Sequence, residues 1–236
     1  MNVLLEAEEV SKRFGGVRAV DGMSLRVPEG TILGIIGPNG SGKTTFLGLL
    51  SGTFRPSSGR ISLKGRRIDG IAAHRTVELG IARTFQTTRL FPRWNLRQNL
   101  DVAAQATAAK GSIGPTLAPL ALTGLDHRAE TICGGLSNAE QRLAMIAVAL
   151  ATRPQLLLLD EPAVGMSPSE AGELGRVIRR IRDEAGITVM IVEHNMHLMM
   201  GLADRIVAMN AGRLLAEGTP EDIRQHPDVI SAYLGG

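Results

Sequence analysis

Three short runs of nearly unbroken apolar residues punctuate the chain: 31–36 (TILGII), 155–160 (QLLLLD) and 187–192 (ITVMIV). Runs of this length, bounded by turn or charged residues, predict strands buried on both faces. Segments 44–51, 141–151 and 169–184 carry a helical repeat, the last with an apolar stripe along one side. Apolar strands alternating with helices predict an α/β fold whose core sheet is mostly parallel and covered on both faces. Elsewhere the signals are weaker. Segments 3–10, 24–27, 60–63 and 81–85 predict short strands, with turns at Phe14-Gly15-Gly16 and Pro56-Ser57-Ser58-Gly59, and 73–79 a short helix. From about 95 to 130 the pattern is helical, broken at Gly111, Gly114 and Pro115, and lacks strand signals, which predicts a separate helical lobe. Beyond Arg205 come two short strands around Ala211-Gly212, a helix over 220–224 and a short final segment.

One turn in this frame carries chemistry. Residues Gly37, Pro38, Asn39, Gly40, Ser41, Gly42, Lys43, Thr44 and Thr45 read GPNGSGKTT, a match to G-x-x-x-x-G-K-[ST] between a predicted strand and a predicted helix. Such a loop turns successive backbone N–H groups toward one point, where the helix N-terminus adds partial positive charge. Gly37, Gly40 and Gly42 are expected to let the backbone approach phosphate, where a Cβ would obstruct it. Lys43 would reach the β- and γ-phosphates, and the Thr44 hydroxyl would ligate Mg²⁺. The motif predicts nucleotide binding.

Composition narrows the partners. The chain has 236 residues, enough to bury a substantial core, and only 3% are aromatic, too few for a stacking-based nucleic-acid groove. Its net charge of +3 is a mild bias. A single cysteine, Cys133, excludes an internal disulfide and suits a reducing compartment. The acidic first ten residues do not read as a signal peptide, and no stretch reaches the 18 or so apolar residues of a membrane span. These features predict a cytoplasmic protein, held at a membrane only by something else.

The second half of the site follows the leucine run. Asp160 at the end of that strand is placed to serve Mg²⁺, and Glu161 to polarise an attacking water as general base. His194 directly follows the next buried strand, on the edge where parallel sheets bind ligands, within reach of the γ-phosphate or the water. Gln86, after the strand over 81–85, has an uncharged side chain able to touch both Mg²⁺ and water.

The order of these motifs resembles the nucleotide-binding subunit of an ATP-binding cassette (ABC) transporter, over essentially the whole chain. Phrases such as SKRFGGVRAVDG, GIARTFQTTRLFP, EPAVGMSP and VEHNMHLMMGLADRIVAMNAGRLLAEGTP are similar to those of the branched-chain amino acid importer ATPases. The resemblance implies a P-loop NTPase fold with a mostly parallel core sheet, an N-terminal antiparallel β portion and a helical subdomain. It implies one domain over 1–236, with a RecA-like core and antiparallel portion in 1–94 and 152–236, and the helical part at about 95–151. It also implies ATP and Mg²⁺ as ligands, with Phe14 stacking on adenine, Val20 packing nearby, Thr44, Gln86 and Asp160 serving the metal, and Glu161, His194 and Gln86 serving hydrolysis. The implied partners are a second cassette, two membrane permease subunits and, indirectly, a solute-binding protein, on the inner face of the cell membrane; no nucleic acid is expected. Segment 89–99 (RLFPRWNLRQN) is a candidate docking groove, or alternatively a loop around a buried Trp94.

In this family one cassette's signature closes over its partner's ATP. The signature here reads Leu136, Ser137, Asn138, Ala139, Glu140, where relatives carry LSGGQ or a close variant. Ser137 is kept. Ala139 replaces a glycine and is expected to crowd the phosphate, or to cost about 1 kcal/mol if its φ must be positive. Glu140 adds a carboxylate, and Leu143 and Val148 stand where arginines are usual. These departures imply a heterodimer with one stronger and one weaker site. The competing readings are a non-transport cassette acting on DNA or ribosomes, and a regulatory module that binds ATP with weak turnover.

Overall fold

In this computed structural model, which describes residues 2–84, 90–107 and 118–234, two sheets share one core. Residues 3–28 form a long hairpin, β1 (Val3–Phe14) and β2 (Val17–Pro28), turned at Gly15 with φ +55°. Both strands outrun the expectation, because their outer halves (Lys12, Arg13, Arg18) are polar and carry no apolar alternation. Backbone pairing holds them regardless, through several register shifts. The chain continues through β3 (Ile32–Ile36), α1 (Lys43–Leu50), β4 (Ser58–Leu63), β5 (Arg66–Arg67), α2 (Ala73–Glu78) and β6 (Ile81–Arg83). The two-residue β5 has no sequence signature; it exists through its pairing with β4. The antiparallel sheet runs β2-β1-β4-β5.

Next come α3 (Leu96–Gln105), α4 (Ala118–Thr123) and α5 (Asn138–Ala151), whose apolar faces make a cluster of their own from Leu96, Leu100, Leu120, Leu136, Ala144 and Ala147. The expected breaks at Gly111, Gly114 and Pro115 lie outside the described residues. Helix α5 begins three residues earlier than its apolar periodicity predicts, because Ser137 and Glu140 form a capping box.

The remaining elements are β7 (Leu156–Asp160), α6 (Pro168–Ala185), β8 (Thr188–Val192), α7 (Met196–Leu202), β9 (Arg205–Asn210), β10 (Arg213–Gly218), α8 (Pro220–Gln225) and α9 (Pro227–Leu234). Helix α7 was not expected. Helix α9 replaces the expected short final segment; it is short and follows α8 across a single residue, His226. The second sheet runs β10-β9-β3-β8-β7-β6, parallel except for β10.

Period-two geometry explains the leucine run. Leu157 and Leu159 face a cluster containing Leu174, Val177, Ile178 and Ile181 of α6. Leu156 and Leu158 face the opposite cluster, with Phe46 and Leu47 of α1 and with Leu5, Val10 and Met23 of the first sheet. All four are fully buried, each such burial stabilising by about 2 kcal/mol. Helix α6 is delimited as its sequence dictates, with a Ser167–Glu170 capping box, Pro168 in the first turn and Gly186 in the left-handed conformation at the end.

Candidate nucleotide site

The parallel register brings the predicted residues to one edge. Asp160 pairs with Val192, and Ile35 with the same Val192, so β3, β7 and β8 end side by side. The P-loop leaves β3, Glu161 leaves β7, and His194 stands two residues past β8.

In the P-loop, Lys43 is 5% exposed and its Nζ donates to the Gly37 carbonyl at 2.8 Å and the Pro38 carbonyl at 2.9 Å. Burial pushes its pKa down, while the carboxylates of Glu161 and Asp160 act in the opposite direction. The fold adds its own demand at two of the three glycines. A Cβ on Gly37 would stand 2.2 Å from the Met209 carbonyl oxygen, and one on Gly42 2.2 Å from that of Ala19. These glycines are required by close approach of the protein's own backbone, before any phosphate is considered. At Gly40 a Cβ would meet nothing within 4 Å, and only its φ of +78° favours glycine.

Asp160 is 2% exposed and shares its two oxygens. Thr44 Oγ1 donates to Oδ1 at 3.2 Å, and Arg83 Nη2 donates to Oδ2 at 2.8 Å. Thr44 and Asp160 thus offer adjacent hard oxygen donors, a fit for Mg²⁺, which takes one or two protein ligands together with substrate phosphates. Among the described residues no group of three or more His, Cys, Asp or Glu forms a metal cage.

Glu161 holds φ at +51°, a left-handed conformation costing on the order of 1 kcal/mol, fixed by donation of its N–H to the Val192 carbonyl at 2.9 Å. Its Oε1 lies 2.8 Å from His194 Nε2. An ionised carboxylate only accepts, so Nε2 carries the proton of that bond. Both side chains reach solvent, at 18% and 36% exposure, so water can approach the pair.

Two functional-site contacts escaped sequence reasoning. Arg83 is the partner of Asp160 just described. Glu193, 2% exposed, accepts from the Ala163 N–H at 2.6 Å and from the His194 N–H at 3.0 Å. It thereby ties the turn after Glu161 to the loop of His194. Burial pushes its pKa up, against those N–H groups. A buried acid before the histidine was the available signal.

The remaining predicted residues lie on other segments of the chain. Phe14 is 43% exposed and meets the Phe54 ring edge-on, with centroids 5.2 Å apart. Val20 is fully buried and packs in the core rather than at the surface. Gln86 lies outside the described residues. In the signature, Ala139 sits in the first turn of α5 without a positive φ, so the conformational cost expected for it does not arise. Glu140 accepts from the Ser137 N–H at 2.8 Å and from Arg128 Nε at 2.9 Å. Its carboxylate is therefore committed to its own helix cap, and the Ser137 N–H chiefly holds its pKa below the usual range.

A family profile described as "ABC transporter" matches residues 20–164, more than half of the chain. The chain belongs to the ABC transporter family. A second profile, described as "Branched-chain amino acid ATP-binding cassette transporter", matches residues 213–236. The cassette is 39% identical to the high-affinity branched-chain amino acid transport ATP-binding protein BraF of Pseudomonas aeruginosa, over 98% of both chains. It is 37% identical to LivG of Escherichia coli K12, a protein of the same description, with the same coverage. Among solved structures, the ADP conformation of an ATP-binding cassette of an ABC transporter superposes with a TM-score of 0.89 over all of both chains, at 27% identity. The nucleotide-free form of an ATP-binding cassette gives 0.88. ABC transporter ATP-binding proteins are ATPases, and the cassette binds nucleotide and hydrolyses ATP accordingly.

Proposed function

We propose that this cassette powers an importer of branched-chain amino acids or similar small polar solutes, working at the inner face of the cell membrane through two permease subunits and a second, different cassette. The observation that carries the reading is near-40% identity over the full length of proteins named for that transport. No helix among the described residues is long and apolar enough to cross a membrane, in keeping with separate permease subunits.

In this reading the P-loop amides and Lys43 hold the ATP phosphates, and Phe14 stacks on adenine. Thr44, Gln86 and Asp160 would hold Mg²⁺, which would offset phosphate charge. Glu161 orients and deprotonates the attacking water, and His194 fixes the Glu161 carboxylate and serves the γ-phosphate or the water. The 2.8 Å contact between the two supports these roles. Ser137 serves the partner's ATP. Its oxygen accepts from the Glu140 N–H at 3.2 Å, which leaves the hydroxyl proton for a phosphate. ATP contacts both cassettes only when they are closed, so binding favours closure and hydrolysis releases it.

Docking falls to segment 89–99. Phe91 and Trp94 stack with centroids 4.7 Å apart, exposed by 51% and 40%, and exposed Ile132 lies beside them through the Asn95–Ile132 bridge. Trp94 is not the buried loop residue that the alternative reading required.

A tagged pull-down from detergent-solubilised native membranes tests the assembly. The expected result is recovery of two membrane proteins and a second cassette; recovery alone, or with ribosomal or nucleic-acid partners, would sink the transport reading. The weaker site is tested separately by Ala139→Gly. Turnover in the assembled complex should rise, and an unchanged rate would leave Ala139 without a part in it.

A further inference from the structure

Asp160 is a buried carboxylate, and a charge so placed needs a counter-ion in every state of the protein. Arg83 supplies one. Its side chain, at the end of the edge strand β6, is only 7% exposed, and its guanidinium spans the gap between β7 and α1. Nη2 donates to Asp160 Oδ2 at 2.8 Å and to the Thr44 carbonyl at 3.4 Å, and Nη1 to Ser51 Oγ at 3.4 Å. Gly48 of α1 lies alongside, where a Cβ would stand 2.5 Å from the Phe54 ring and 3.3 Å from Nη1. The guanidinium is thus fitted between the P-loop helix and the strand that carries Asp160, within one carboxylate's width of the Thr44 hydroxyl.

We propose that Arg83 is the resident counter-cation of the metal site, neutralising Asp160 until a divalent ion arriving with nucleotide takes over part of that charge. The inference rests on the reading above in which Thr44 and Asp160 hold the ion. Arg83 yields only to a competing positive charge. The Asp160–Arg83 pair is neutral as a unit and has little attraction for a bare divalent ion. Added phosphates restore the negative charge, so Arg83 makes metal binding conditional on nucleotide. It is a positioning residue, since it touches the carboxylate and not the reacting atoms.

The test is Mn²⁺ affinity of the full chain in the presence of ADP, read by electron paramagnetic resonance for the parent, Arg83→Lys, Arg83→Met and Asp160→Asn. Removing the competing charge in Arg83→Met should tighten Mn²⁺ by about tenfold, and should allow measurable Mn²⁺ binding without ADP. The Lys variant keeps a charge but cannot span Asp160, Thr44 and Ser51 together, and should tighten Mn²⁺ by about threefold. That arm decides the matter if the Met variant fails to fold. Affinity unchanged or weakened in the Arg83 variants, with Asp160→Asn still loosening the metal, would overturn the role of Arg83 alone. An Asp160→Asn protein that binds Mn²⁺ as the parent does would instead overturn the placement of the metal.

Discussion

Gly40 and Gly42 lie two positions apart in one motif, yet different forces hold them. Alanine at 42 must displace the Ala19 carbonyl and adopt a φ of +97°. Overpacking and backbone strain together give an expected loss of about 3 kcal/mol. Alanine at 40 meets open space and bears only the left-handed conformation, about 1 kcal/mol. Denaturant unfolding of the two nucleotide-free variants should separate them in that order, and equal losses would show that φ alone decides. At the same scale, the tilt of the Glu161 carboxylate toward His194 follows from a backbone that a strand alone would not adopt, held by a hydrogen bond to Val192.

In helix α5 the residues of the proposed signature also close the helix cap. Its cap places Ser137 at a helix N-terminus, the end that favours phosphate, while Glu140 closes the box and takes Arg128 as a second partner. Because the folded pKa of Glu140 is depressed below its ordinary 4.5, its stabilisation is present above that value and is lost as pH falls through the folded pKa. Glu140→Gln keeps the box geometry but removes the charge. At pH 7 it should cost about 1 kcal/mol. Thermal melts of parent and variant should converge as the pH drops below 4.5. A gap that persists in acid would mean that packing, not charge, sets the contribution.

At the scale of the whole molecule, the parallel sheet gathers the P-loop, Asp160, Glu161 and His194 on one edge, while Ser137 caps a helix of the helical cluster and the exposed aromatic pair lies on the segment that enters it. The proposed chemistry and the proposed docking are therefore separable by substitution. Replacing Phe91 and Trp94 together with alanine removes surface that is already solvent-exposed, so the variant should fold and bind ADP as the parent does. Co-purification of the permease subunits should fall by about tenfold or more, the scale of an interface anchor. Retention of the permeases would place the docking surface elsewhere.

Much of this protein is local in origin. The buried strands announce themselves through apolar runs that only a two-faced burial site accepts, α6 through its serine, proline and glycine boundaries, and the P-loop through its glycine-lysine-threonine spacing. Asp160, Glu161 and His194 could be grouped from the sequence because each lies at, or within two residues of, the end of such a run, and parallel strands present their ends together. What the sequence could not display are relations between distant segments. Long polar hairpin strands, the two-residue β5 and the late helices draw their stability from partners, not from pattern. The same holds at the site. Met209 and Ala19, which make Gly37 and Gly42 obligatory, and Glu193, which binds two loops, are neighbours only after folding. So are Arg83 and Asp160, because a buried charge finds its counter-ion across the sheet and not along the chain.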